Sequence, residues 1–137
     1  MAGYSGKPLA RKLDLKAGDR VRIVGAPAAF AKVLGKLPEG ASIVGPRAAA
    51  ERVLLFSTSE DHLHRAFPDA AKSLPPAGTL WVAWPKKTSG VETDLTENVV
   101  RKVGLAAGLV DVKVCAITEV WSGLKFVRRL ADRPKTK

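Results

Sequence analysis

Cysteine, methionine and tyrosine each occur once among the 137 residues, and histidine occurs twice. With Cys115 alone no internal disulfide can form, and the expected setting is the reducing cytoplasm. His62 and His64 stand two apart on an expected helix and face different ways, so they cannot hold a metal as a pair. One cysteine and no third histidine leave too few ligands for a zinc site, and none is expected. No Ser/His/Asp or Cys/His grouping suggests itself, and the acidic residues show no spacing for paired-carboxylate chemistry. No catalytic residue is therefore expected. Apolar runs fall well short of the roughly 18 residues that a membrane span needs, and the first residues lack the apolar core of a signal peptide. No membrane association is expected.

What the chain does have is apolar content for a core and an unevenly placed positive charge. Hydrophobic residues make up 46%, enough for one domain of ordinary size spanning 1–137, with loose basic ends at about 1–7 and 133–137. The formal net charge is +10. Residues 1–36 hold eight Lys/Arg against Asp14 and Asp19, and residues 125–137 hold six against Asp132. The middle holds nine basic and ten acidic groups and is close to neutral. A field of this kind draws phosphate-rich or acidic partners, so nucleic acid or another polyanion is a candidate partner, beside a protein partner.

Strand and helix signals alternate. A short helix is expected from Pro8 to Leu13, then a strand from Val21 to Gly25. Pro27 suits a first helical turn, and Phe30, Val33, Leu34 and Leu37 follow as one apolar stripe. "ASIVG" is a short second strand and Arg52–Phe56 a third, which enters a helix through the Ser/Thr-rich segment "STSED". That helix sets Leu63, Phe67, Ala70, Ala71 and Leu74 on one side, with Pro68 expected to break or kink it. "TLWVAW" is a fourth strand, apolar throughout, as when both faces are covered. Trp81 and Trp84 point to opposite faces of it. Asp94, three before Glu97, has capping-box spacing; the helix behind it aligns Leu95, Val99, Val103 and Ala106, and Gly108 closes it. "LVDVKVCAI" and "LKFVRR" then form an antiparallel hairpin around "TEVWSG". Such alternation predicts an α/β domain of three layers, with a mostly parallel sheet between helices.

This order, ending in a helix and a C-terminal hairpin, resembles a truncated class I methyltransferase (Rossmann-like) domain. More narrowly, "GYSGKPLARKL", "LWVAWPKKTSG", "TDLTENVVRKVGLAAGLVDVKVCAI" and "WSGLKFVRR" resemble a small uncharacterised bacterial family of unknown function, which carries no activity with it. The resemblance implies six strands in the order 2-1-3-4-6-5, with strand six antiparallel between four and five. It also implies a ligand crevice beyond the carboxyl ends of the strands, near the switch between strands one and three. The loops "GAPAAF", "GPR", "STSED" and "PKKTSG" would face it. Gly25, Ala26, Ser57, Trp84, Lys86, Lys87, Ser89 and Thr93 are the expected ligand-binding residues.

Within that crevice the chain departs from the methyltransferase pattern. Only Gly25 follows strand one, with Ala26, Pro27, Ala28 and Ala29 in place of further glycines. Val44, Gly45, Pro46 and Arg47 stand where an acid would hold ribose hydroxyls. No cofactor is therefore expected. The double lysine, near Ser89 and Thr93 and the start of a helix, suits an anion instead. The reading is a non-catalytic module for an anionic ligand or nucleic acid on a degenerate methyltransferase scaffold. The alternatives are an S-adenosylmethionine-dependent methyltransferase with unusual cofactor contacts, or a regulatory or structural subunit that binds another protein.

Overall fold

The run TLWVAWP, Thr79–Pro85, is buried at every position, as a strand covered on both faces must be. It is β4 of a six-stranded sheet. The computed structural model describes residues 8–45, 47–72 and 74–129; the expected loose ends, and Pro46 in the loop after the second strand, lie outside the described residues. In chain order the elements are α1 (Leu9–Lys12), β1 (Arg20–Val24), α2 (Phe30–Leu34), β2 (Ser42–Ile43), β3 (Arg52–Phe56), α3 (Glu60–Lys72), β4, α4 (Glu97–Ala106), β5 (Leu109–Ala116) and β6 (Trp121–Arg128). The sheet runs β2-β1-β3-β4-β6-β5. The first four strands pair in parallel, and β6 lies antiparallel between β4 and β5. This is the expected three-layer α/β architecture.

Alternation along the central strands divides the core in two. Val53, Leu55, Leu80, Val82 and Trp84 face α3 and α4, where Leu63, Phe67, Val100 and Val103 cover them. Leu54, Phe56, Trp81 and Ala83 face the other way, onto Leu13, Leu15, Phe30 and Leu34. That second cover is thin, because α1 and α2 have only four and five residues. Polar contacts reinforce it. The Trp81 indole donates to the Leu13 carbonyl at 3.1 Å. Asp14 accepts from Lys125 at 2.8 Å and Lys113 at 3.3 Å. Burial pushes the Asp14 carboxyl up, yet the two lysines outweigh it and hold the group below its usual range.

Several local expectations give way to tertiary contacts. The stripe after Pro27 is shorter than expected: Gly35, at φ +70°, ends α2, and Val33 is exposed while Phe30 and Leu34 are buried. Pro68 does not break α3, which runs through it. Pro68 has no N–H to give the carbonyl of His64, and both residues lie on the exposed side of the helix, while the buried Phe67 and Ala70 anchor it on either side. In α4 the buried set is Val100, Val103 and Gly104, and Ala106 is exposed.

Asp94 is not the cap of α4. Thr96 fills that place, its hydroxyl accepting from the Val99 N–H at 3.2 Å. Asp94 instead accepts from the Glu60 N–H at 2.8 Å, capping α3 from a distant loop beside Ser59, which accepts from the His62 N–H at 3.1 Å. A carboxylate at the positive end of α3 serves that helix better than one at its own, where Thr96 already fills the capping position.

Candidate functional site

Three loops at the carboxyl ends of β1, β3 and β4 build the expected crevice. After β1 the chain turns at Gly25, whose φ is +73°. A Cβ there would stand 2.8 Å from the Phe56 carbonyl oxygen, so glycine is needed for backbone to pass close to β3. That requirement is met inside the fold and calls for no ligand. Ala26 packs against the α1/α2 side of the core, and the Pro27 carbonyl accepts from the Phe30 N–H at 2.9 Å. The loop thus closes on itself.

After β3, Ser57 is buried. Its hydroxyl donates to the Ser59 carbonyl at 3.0 Å and lies 2.8 Å from His62 Nδ1. A hydroxyl has one proton, so with that proton on Ser59 the imidazole carries its own on Nδ1 and donates to Ser57. Gly25, Phe56, Ser57, Thr58, His62 and Trp121 line a cavity of about 190 Å³ here. This Ser–His contact was not expected from the sequence. The signal for it is a serine ending a strand, a serine cap two residues on, and a histidine in the helix's first turn. No third member completes a triad, and among the described residues no group of three His, Cys, Asp or Glu could hold a metal.

After β4 the loop spends its hydroxyls on itself. Ser89 donates to the Lys86 carbonyl at 2.7 Å and accepts from the Val91 N–H at 3.1 Å, ahead of Gly90 at φ +82°. Thr93 donates to the Thr58 carbonyl at 2.6 Å and accepts from the Leu95 N–H at 3.0 Å. The side chains of Lys86 and Lys87 remain. Together with Trp84, Thr88, Ser122 and the first turn of α4 they line a second cavity of about 320 Å³. Glu97, the acid at its edge, is drawn to Arg101 at 2.5 Å.

The eight expected residues divide between these two cavities and the loops around them. Gly25 and Ser57 line the first cavity, Trp84, Lys86 and Lys87 the second. Ala26, Ser89 and Thr93 line neither and hold the loops together. Cys115 is half-buried, and burial pushes its thiol up, away from a reactive thiolate.

The turn after β1 departs from the pattern by which methyltransferases hold a nucleoside cofactor. Proline stands where an N–H would be needed, and no acid lies among residues 42–46 at the end of β2.

No protein-family model matches the chain, and no curated protein matches it. Solved structures do. The chain is similar to CalO1, a methyltransferase of calicheamicin biosynthesis in its SAH-bound form, at 16% identity and a TM-score of 0.65 over 89% of this chain and 52% of that one. It is similar to precorrin-6y C5,15-methyltransferase from Geobacter metallireducens GS-15, at 11% identity and 0.61 over 88% and 86%. A SAM-dependent methyltransferase from Aquifex aeolicus matches at 12% identity and 0.60 over 85% of each chain. The chain spans about half the length of several methyltransferases that it matches. At such identities the likeness establishes the fold, and the fold is that of the class I, S-adenosylmethionine-dependent methyltransferases.

Proposed function

We propose that this chain is a binding module for a polyanion, nucleic acid foremost, that uses a methyltransferase-type sheet as a scaffold. The observation that carries this reading is the second cavity. Lys86 and Lys87 stand beside Trp84 with no ion pair among the described residues, while the nearby acid Glu97 is taken by Arg101. Many other basic groups are neutralised within the fold, as Arg20 is by Glu51, Arg52 by Asp19 and Lys125 by Asp14. The positive end of α4 adds to the field.

Replacing both lysines with glutamate weakens binding to a DNA duplex and leaves stability within about 0.5 kcal/mol, since exposed loop charges rarely cost more. Two lost phosphate contacts flatten the slope of log affinity against log salt by about 1.8. Fluorescence anisotropy over a salt series reads both quantities. Normal binding by the double variant, with binding abolished by deletion of residues 130–137, would place the attraction in the tail and end this reading.

A second reading, methyl transfer from S-adenosylmethionine with unusual contacts, has the fold on its side. The likeness to SAH- and SAM-bound enzymes supports it better than it supports the first, and the Ser57–His62 pair beside Gly25 offers groups able to move a proton. Against it stands the closed turn after β1. Isothermal titration separates the two. The expected result is no binding tighter than a Kd of about 100 μM, roughly −5.5 kcal/mol; a tighter constant favours the enzyme.

A further inference from the structure

Among the described residues the connection from β2 to β3 contains no helix, which leaves the β1 end of the sheet bare on the side that α3 covers. An open groove of about 930 Å³ lies there, bordered by Arg22, Val24 and Gly25 of the β1 segment, by the exposed Arg47 after β2 and by Asp69 and Lys72 of α3. Arg22 is its unusual member. The residue is 5% exposed, so its guanidinium has lost nearly all its water, a heavy cost for a cation that is not fully paired. Its Nη2 donates to Asp69 at 2.6 Å, but the Asp69 side chain is 77% exposed and its attraction is largely screened. Its Nε is buried with no partner. Nε and Nη2 form one edge of the guanidinium fork, shaped to grip two oxygens of one anion. Asp69 uses half of that edge. Lys72, one turn along α3 from Asp69, is exposed at the groove and makes no ion pair among the described residues.

We propose that Arg22 anchors a binding site for a phosphoryl group in this groove, with Lys72 and Arg47 as further cations and Asp69 as a competitor that yields to the ligand. An oxyanion at the fork takes both Nε and Nη2, satisfies the orphaned donor, and releases Asp69 to the water that already surrounds most of it. The groove has room for an organic body beyond the phosphoryl group, along Val24 and Gly25. This site is separate from the Lys86/Lys87 cavity and does not depend on that reading.

The test titrates orthophosphate and, in a second arm, adenosine monophosphate into the full chain at constant ionic strength. Amide shifts at Val24 and Gly25 report occupancy. Asp69→Asn removes the competing charge and tightens binding by roughly 3–10-fold. Lys72→Glu weakens it by about tenfold or more, and Arg22→Gln abolishes it. Should Arg22→Gln fail to fold, the other two variants decide the matter, because both change exposed side chains. Tighter binding of the nucleotide identifies a phosphorylated organic ligand, and equal binding identifies free phosphate; either supports the site. No saturable binding to wild type or Asp69→Asn overturns the proposal. It is also overturned if Lys72→Glu binds like wild type, or if only the Lys86/Lys87 double variant loses binding.

Discussion

Replacing Trp81 with alanine lowers stability by about 3–5 kcal/mol, the range for emptying a large aromatic site in a packed core. Trp81 is fully buried at the centre of β4, on the face covered by the short helices and the segments beside them. Two losses combine. The void removes the filler between β4 and α1, and the Leu13 carbonyl loses the indole donor 3.1 Å away, leaving a buried acceptor without a partner. Little else could close the gap, since α1 has four residues and too few contacts of its own to slide inward as a unit. Trp81→Phe keeps most of the volume and loses the hydrogen bond, so it costs less, about 1–3 kcal/mol. Denaturant unfolding with an unchanged m-value measures both. A Trp81→Ala loss under about 1 kcal/mol would show that α1 is not pinned in this way. Against a typical total of about 5–15 kcal/mol, the expected loss is a large share.

Gly104→Ala destabilises by about 1–3 kcal/mol, although alanine is the better helix former by about 1 kcal/mol. A Cβ at this position in α4 would stand 2.0 Å from Cε1 of Phe126 and 2.4 Å from its Cζ. Phe126 is fully buried and set edge-on to Phe67, with ring centroids 5.8 Å apart at 90°. The ring has nowhere to retreat, so either α4 lifts from β6 or the ring leaves its rotamer. The distinctive result is in the double variant. Phe126→Leu alone costs stability by leaving space, yet in the Gly104→Ala background it makes room for the new methyl. The two changes should couple by about 0.5–3 kcal/mol, the range for residues in contact. Strict additivity would mean that the helix relaxes freely and that the contact does not set its position.

These two sites differ in how far the chain alone reveals them. That TLWVAW is a strand covered on both faces, and that Trp81 and Trp84 enter different layers, follows from an unbroken apolar run and a period of two. Strand order follows from alternation together with the final hairpin and the family resemblance it carries. The limits of α3 come from Ser59 and the spacing of Leu63, Phe67 and Ala70, all within one or two helical turns. Each of these signals is local, acting between residues close enough in sequence to share one element.

What the tertiary structure alone decided lies between elements. Asp94 and Thr93 read as helix-start residues near a ligand, because three-residue spacing to Glu97 is all that a sequence displays. Only the folded sheet brings them to Glu60 and Thr58, where capping α3 satisfies a donor that would otherwise lie open. Gly104 gives no sign of its role in the helical pattern, since its partner Phe126 belongs to a strand reached through another strand and a turn. The hydroxyls of Ser57, Ser89 and Thr93 bond to backbone carbonyls, a choice of partner that the sequence does not display. Arg22, one basic residue among several near the start of the chain, is distinguished only by burial and by an Nε that no neighbour reaches. Periodicity and cap chemistry are properties of a segment and can be read along it. Desolvation and partner choice are properties of a place in space, and that place exists only after the strands have taken their order.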